Sequence, residues 1–177
     1  MLELLKRRRS IRKYSDDNLN KDQVDQLVKA ALLAPSSRGI RPWEFIVVDD
    51  KILLSKLSWS KEHGSAFLKG AALAIVVIAD PQKSDVWVED TSIASTIIQL
   101  MAEAMDLGSC WIQIRNRQHN ESIMAEDYVK KVLAIHNKYK VESIIAIGYK
   151  AEQKKVYKED ELLYNKVHLN NFGNLYY

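Results

Sequence analysis

The chain has 177 residues, of which 47% are hydrophobic and 28% charged, with a formal net charge of +3. That length suits one domain with a real core, and so small a charge excess does not indicate a nucleic-acid binder. With Cys110 as the one cysteine no internal disulfide can form, no apolar run is long enough to span a bilayer, and residues 1–9 lack the pattern of a secretion signal.

We therefore expect a cytoplasmic protein with neither a membrane nor a nucleic-acid partner. Leu2, Leu4 and Leu5 ahead of Lys6 predict a short helix leading into Arg8-Arg9-Ser10-Ile11-Arg12-Lys13-Tyr14. If that segment is extended its side chains alternate, and Arg8, Ser10 and Arg12 share one face. Two guanidinium forks around a hydroxyl suit a phosphate, although a solvated basic patch would have the same composition. Asn20, with Gln23 three residues on, has the spacing of a capping box. Val24, Leu27, Val28, Ala31 and Leu32 follow at helical intervals and predict a helix over 21–33, ended by Pro35. Residues 34–43, Ala-Pro-Ser-Ser-Arg-Gly-Ile-Arg-Pro-Trp, form a turn-rich link into a buried strand at Trp43–Val48.

A helix is expected at Lys51–Leu57, a loop over 58–64, and a second buried strand at Leu73–Ala79, stopped by Asp80-Pro81. The longest helix should cover 87–107 and close on Gly108 as its cap. Its stripe of Ile93, Ala94, Ile97, Ile98, Met101, Ala102 and Met105 predicts burial on more than one side, in the core or against a second copy. A third strand follows at 109–114, a helix at 126–135, and a fourth strand at 141–147 ending at Gly148. Residues 150–161 are highly charged, and 162–177 mix Tyr, Asn and Leu without a clean period. Such an aromatic tail either wraps its own domain or lies across a partner subunit.

The six glycines form neither a Gly-x-Gly-x-x-Gly nor a P-loop, and no Gly-x-Ser-x-Gly elbow occurs. His63, His119, His136 and His168 are scattered, so no metal site is expected. No side chain stands out as a catalytic group, which fits chemistry carried by a cofactor.

The segment 8–14, then a helix, then Pro-Ser-Ser-x-x-x-x-Pro-Trp-x-Phe entering a strand resembles the nitroreductase family of FMN-dependent oxidoreductases. The long helix leading to Gly-Ser-Cys-Trp-Ile at 108–112, and Ile-Ala-Ile-Gly-Tyr at 145–149, continue the likeness in order over about residues 3–150. The resemblance implies an α+β fold: three α/β/α layers around a mixed, largely antiparallel sheet, in a single domain over 1–177. It implies a homodimer, with 150–177 packing on the partner subunit. It further implies that Arg8 and Ser10 hold the FMN phosphate within the basic run that includes Arg9, and that Arg12 sits by the pyrimidine edge of the ring. Pro35, Ser36 and Ser37, with the adjoining Arg38, would approach the flavin from the other subunit. Ile112 and Gln113 would border the ring, the Gln113 backbone N–H aimed at N5, and a cation at Lys154, Lys155 or Lys158 would complete the phosphate site. Gly39 and Arg41 stand where many members carry Asn and Gln, so no side-chain bond to the flavin is implied there. The implied activity passes hydride from NADH or NADPH to a small organic acceptor, a nitroaromatic or quinone, in ping-pong order. Specialised relatives that fragment the flavin, dehalogenate a phenol or oxidise a heterocycle remain alternatives, as does an inert flavin-holding scaffold.

Overall fold

In the computed structural model, which describes all of residues 1–177, the elements run α1 (Leu2–Arg7), α2 (Lys21–Leu32), β1 (Trp43–Val48), α3 (Lys51–Leu57) and β2 (Leu73–Ala79). They continue with α4 (Trp87–Ala104), β3 (Leu107–Gln113), α5 (Ala125–Leu133) and β4 (Lys140–Tyr149). The strand order is β1-β2-β4-β3, and every ladder is antiparallel. The parallel component is one isolated bridge, Ser10 with Ser109, on the outer side of β3.

Both faces of the sheet are covered, which is why β2 is apolar without alternation and buried at every residue. Ala74, Val76, Ile112, Ile144 and Ala146 face α3, α5 and the turn at Ala66–Gly70. Ile75, Val77, Ile145 and Ile147 face α2 and α4. The architecture is thus α+β with three layers, α/β/α. No helix is long and apolar enough to cross a membrane.

Local signals set most boundaries. Asn20 accepts from the Gln23 backbone N–H (2.9 Å), and Gln23 returns the bond from its side chain (3.0 Å), so α2 starts on a complete capping box. Asp50 caps α3 by accepting from Leu53 N–H at 2.8 Å. In α4 the expected multi-sided burial extends to polar positions: Asp90, Thr91, Ser95, Gln99 and Glu103 are all buried. Ser95 makes a 2.9 Å hydroxyl bond to Ser143 of β4 and donates to the Thr91 carbonyl.

Two expected boundaries are wrong for one reason. The long helix ends at Ala104 and turns at Asp106, which takes a left-handed φ of 57°, so Leu107 and Gly108 belong to β3. Likewise β4 passes through Gly148 to Tyr149. Gly108 and Gly148 stop neither element; they face each other in register across β3 and β4. Without Cβ atoms they leave a notch in the sheet, and the basic N-terminal segment packs into it. A Cβ on Gly108 would lie 2.7 Å from Ile11 Cγ2, and one on Gly148 would lie 2.9 Å from Tyr14 Cδ1.

Beyond Glu152 the tail is almost wholly exposed. Tyr157 N–H donates to the Lys6 carbonyl (3.1 Å) and Lys6 pairs with Glu159 (3.1 Å), but Leu163, Phe172, Tyr176 and Tyr177 face outward.

Filling the notch should cost stability. Gly148→Val should lower the unfolding free energy by about 1–3 kcal/mol, the usual range for overpacking. Gly70→Ala, whose Cβ would meet nothing within 4 Å, should stay close to wild type. Urea denaturation of the two variants checks this, and equal midpoints would mean that the notch is not packed.

Candidate functional site

Seating Ile11 in the notch fixes its neighbours. Ile11 is buried, its N–H donates to the Ser109 carbonyl on the outer edge of β3 (3.0 Å), and Tyr14 Oη donates back to the Ile11 carbonyl (2.6 Å). Glu152 clamps the other side, accepting from Arg12 N–H (2.6 Å) and Lys13 N–H (3.2 Å). Its carboxyl is held below the usual range first by Lys154, then by the Arg12 N–H.

With the backbone held this way, Arg8, Arg9, Ser10, Arg12, Lys154 and Tyr157 line a single cleft of about 300 Å³. Three side chains expected to share a face therefore do converge, and Lys154 joins them from the far end of the chain. Arg9 is turned into the wall: its guanidinium donates to the Lys155 carbonyl and lies 4.4 Å over the Tyr157 ring. Lys155 contributes that carbonyl, while its ammonium lies 3.9 Å from Glu161, outside the cleft lining. Neither Arg8 nor Arg12 pairs with a carboxylate, so both guanidinium charges are free for an anion. Cys110 lies beneath: burial pushes its thiol up, against the pull of Arg12, a bond from Ser10 and the pull of Arg8.

The second part of the site is the open edge of β3. Ile114 N–H donates to the Glu142 carbonyl at 3.1 Å. Alternation along the antiparallel ladder then turns the N–H groups of Trp111 and Gln113 away from β4, toward that edge. The Ile112 side chain points into the core and its backbone groups face Ile144 of β4, so Ile112 offers no free group at the open edge. The Gln113 side chain is fully engaged: Oε1 accepts from Trp111 Nε1 (2.9 Å), and Nε2 donates to the Arg115 carbonyl (3.2 Å) and to Glu142 Oε1 (3.1 Å).

Pro35, Ser36, Ser37 and Arg38 are elsewhere. Ser37 N–H donates to Asp90 (2.8 Å) at the start of α4, Ser36 Oγ accepts from Arg41 N–H (2.8 Å), and Arg38 pairs with Asp85. The basic segment is tied to the opposite end, where Glu103 contacts Arg7 Nε (3.6 Å) and Lys150 Nζ (3.0 Å). Asp90 and Glu103 share one helix, so at about 1.5 Å per residue they stand roughly 20 Å apart. One chain does not bring the two groups together. Glu152, Tyr157 and Glu142 belong to the site's framework and were missed, because each acts through a partner far away in sequence.

A model of the nitroreductase family matches residues 5–60 and 54–149. The fold superimposes on an FMN-dependent nitroreductase from Clostridium difficile R20291 with a TM-score of 0.96 and 55% identity, over 97% of this chain and 100% of that one. A protein of Archaeoglobus fulgidus named "Putative NADH dehydrogenase/NAD(P)H nitroreductase" is 37% identical over 164 residues, 90% of this chain and 91% of its own. A protein of the same name from Methanothermobacter thermautotrophicus is 34% identical over 155 residues, 86% of this chain and 78% of its own.

Behind Gln113, Glu142 is buried with no partner for Oε2, and burial raises its carboxyl above the usual 4.5 despite the Gln113 bond. A raised folded-state value means that the fold favours the protonated acid. The resulting stabilisation is complete below 4.5 and is lost as pH rises through the folded-state value. Glu142→Gln should therefore lose less stability than wild type between pH 4.5 and pH 8. Urea titrations at both pH values check this; identical losses in the two proteins would show that Glu142 is not proton-linked to folding.

Proposed function

This chain belongs to the nitroreductase family, and from that premise we propose that it is a homodimeric oxidoreductase that binds FMN between the basic cleft and the open edge of β3. The observation that carries this reading is the convergence of Arg8, Ser10, Arg12 and Lys154 on one cleft. A phosphate monoester carries close to two negative charges and several acceptor oxygens, which matches the unpaired Arg8 guanidinium, the Ser10 hydroxyl and the Lys154 ammonium, with the unpaired Arg12 left for the ring. When bound, FMN supplies the N5 position that takes hydride from NADH or NADPH and passes it to a small organic acceptor of nitroaromatic or quinone type, in ping-pong order.

The chain's own residues bind and orient. Arg8, Ser10 and Lys154 hold the phosphate, while Arg9 stays in the wall against the Lys155 carbonyl and the Tyr157 ring. Arg12 would supply a fixed positive charge by the pyrimidine edge, stabilising the negative charge of the reduced ring. The Gln113 backbone N–H, free at the edge of β3, would serve N5, and its engaged side chain holds that strand segment in place. Ile112 would border the ring only as part of the strand, with its side chain in the core and its backbone groups paired to β4.

Pro35, Ser36, Ser37 and Arg38 stand roughly 20 Å from the cleft of their own chain by the rise along α4, and in this reading they cover the cleft of a second copy. The exposed aromatics of 162–177 give that second copy an apolar surface to bury. Together they exclude water from the ring.

Purified protein should be yellow, release FMN on heating, and oxidise NADH or NADPH with a quinone along parallel double-reciprocal lines. Arg8→Ala should weaken FMN binding by roughly 1.5–3 kcal/mol, the worth of a charge-assisted bond. Flavin fluorescence titration measures it. A wild type that takes up no FMN, or intersecting kinetic lines, would contradict the reading.

A further inference from the structure

Glu142 stands one strand behind the open edge of β3, and β4 departs from regular geometry to put it there. Val77 of β2 faces Ser143 and Ile78 faces Val141, so Glu142 is the extra residue of a β-bulge. Val141 and Ile144 both point to the α3 and α5 side, while Ser143 bonds Ser95 of α4. Strict alternation over the three steps from Val141 to Ile144 would put those two on opposite faces. The bulge absorbs the odd step and turns Glu142 and Ser143 together to the α4 side, where Trp111 and Gln113 lie.

There the carboxyl closes a chain of bonds. The Trp111 indole can only donate, and it gives its N–H to Gln113 Oε1 (2.9 Å). That fixes the Gln113 amide with Nε2 toward Glu142 Oε1 (3.1 Å). Glu142 is 3% exposed and its Oε2 has no partner, so one oxygen is left to carry a proton. Burial opposes its charge most, the Gln113 bond and Arg115 favour it, and Glu89 of α4 opposes it. Strand β2 is apolar throughout, Lys140 of β4 turns to Glu126, and the remaining charges of α4, Asp90 and Glu103, are held by Ser37 and by Arg7 with Lys150. Adjacent strands lie about 4.8 Å apart, so the carboxyl is within roughly 10 Å of a ligand at the edge of β3. At that distance one unit charge shifts the equilibrium of another by about tenfold.

We propose that Glu142 is a positioning residue for the flavin reaction: through the Gln113 amide it holds the edge N–H in place, and its carboxylate binds a proton from solvent when the ring is reduced. This rests on the flavin reading above. Hydride from NADH or NADPH brings two electrons and one proton, which leaves the reduced ring with one negative charge. Glu142 binds one further proton from solvent, so its carboxylate no longer opposes that charge. When the acceptor takes the hydride, Glu142 releases its proton to solvent.

The test reads charge and not turnover. In FMN-loaded protein, the midpoint potentials of wild type and Glu142→Gln should coincide in acid, where the carboxyl is neutral. Toward alkaline pH the wild type should fall below Glu142→Gln by about 30 mV, a tenfold effect on a two-electron couple. A residue that only packs would shift the potential equally at every pH. The second measurement is the Trp111 indole N–H resonance of the full chain, at the far end of the bond chain. In wild type it should titrate, and its midpoint should move to about tenfold lower proton concentration with reduced FMN bound, by reciprocity. In Glu142→Gln it should stay fixed. FMN-loaded proteins whose potentials coincide or differ by a constant at every pH, or a wild-type indole that does not titrate, overturn this inference alone. A chain that takes up no FMN overturns the flavin reading and this inference with it.

Discussion

Two glycines facing each other across neighbouring strands position the site. Gly108 and Gly148 remove two Cβ atoms from one spot on the sheet, and Ile11 and Tyr14 occupy the space. Burying a side chain such as Ile11 is worth roughly 1.5–3 kcal/mol, enough to hold a segment that otherwise carries four cations in six residues. That apolar anchor, more than the charges, gives Arg8–Lys13 its course. Once Ile11 and Tyr14 point inward and Glu152 grips the backbone, Arg8, Ser10 and Arg12 have one common side to face.

The other constraint is α4. Its buried polar positions bind a different part of the chain at each end: Asp90 holds the Ser36–Ser37 turn, and Glu103 holds Arg7 and Lys150. Ser95 bonds the helix to β4 between them. The helix thus acts as a rigid spacer, and the loop at its start cannot fold back onto the cleft at its end. A composite site made from both ends needs two chains. The strand order leaves β3 at the edge of the sheet, with backbone donors at Trp111 and Gln113 that no further strand takes.

Where a boundary is set locally, the sequence reveals it: Trp43–Val48, Lys51–Leu57 and Leu73–Ala79 stand as their composition and flanking Asp residues predict. The common face of Arg8, Ser10 and Arg12 was legible for the same reason, since alternation is a property of a few neighbouring residues. Gly108 and Gly148 were misread as stops because a glycine after an apolar run looks like a cap, and their pairing across 40 positions is visible only in the sheet. Which face of β3 takes the Ile112 side chain is set by strand parity, and that parity sends it into the core. The roles of Glu152 and Tyr157 depend on loop closures with no sequence period. The wall position of Arg9 depends on Lys155, 146 residues away.

An apolar anchor, and not the cations themselves, shapes the basic cleft. The most direct measurement is the FMN dissociation constant of Ile11→Ala, a change that touches no charge, at a temperature where circular dichroism shows the variant folded. Val129→Ala, an equally buried truncation in α5, serves as the control. The account predicts that Ile11→Ala weakens FMN binding by about tenfold, since roughly 1.4 kcal/mol of positioning is lost, while Val129→Ala leaves it near wild type. Wild-type affinity in folded Ile11→Ala, or equal losses in both variants, would contradict it.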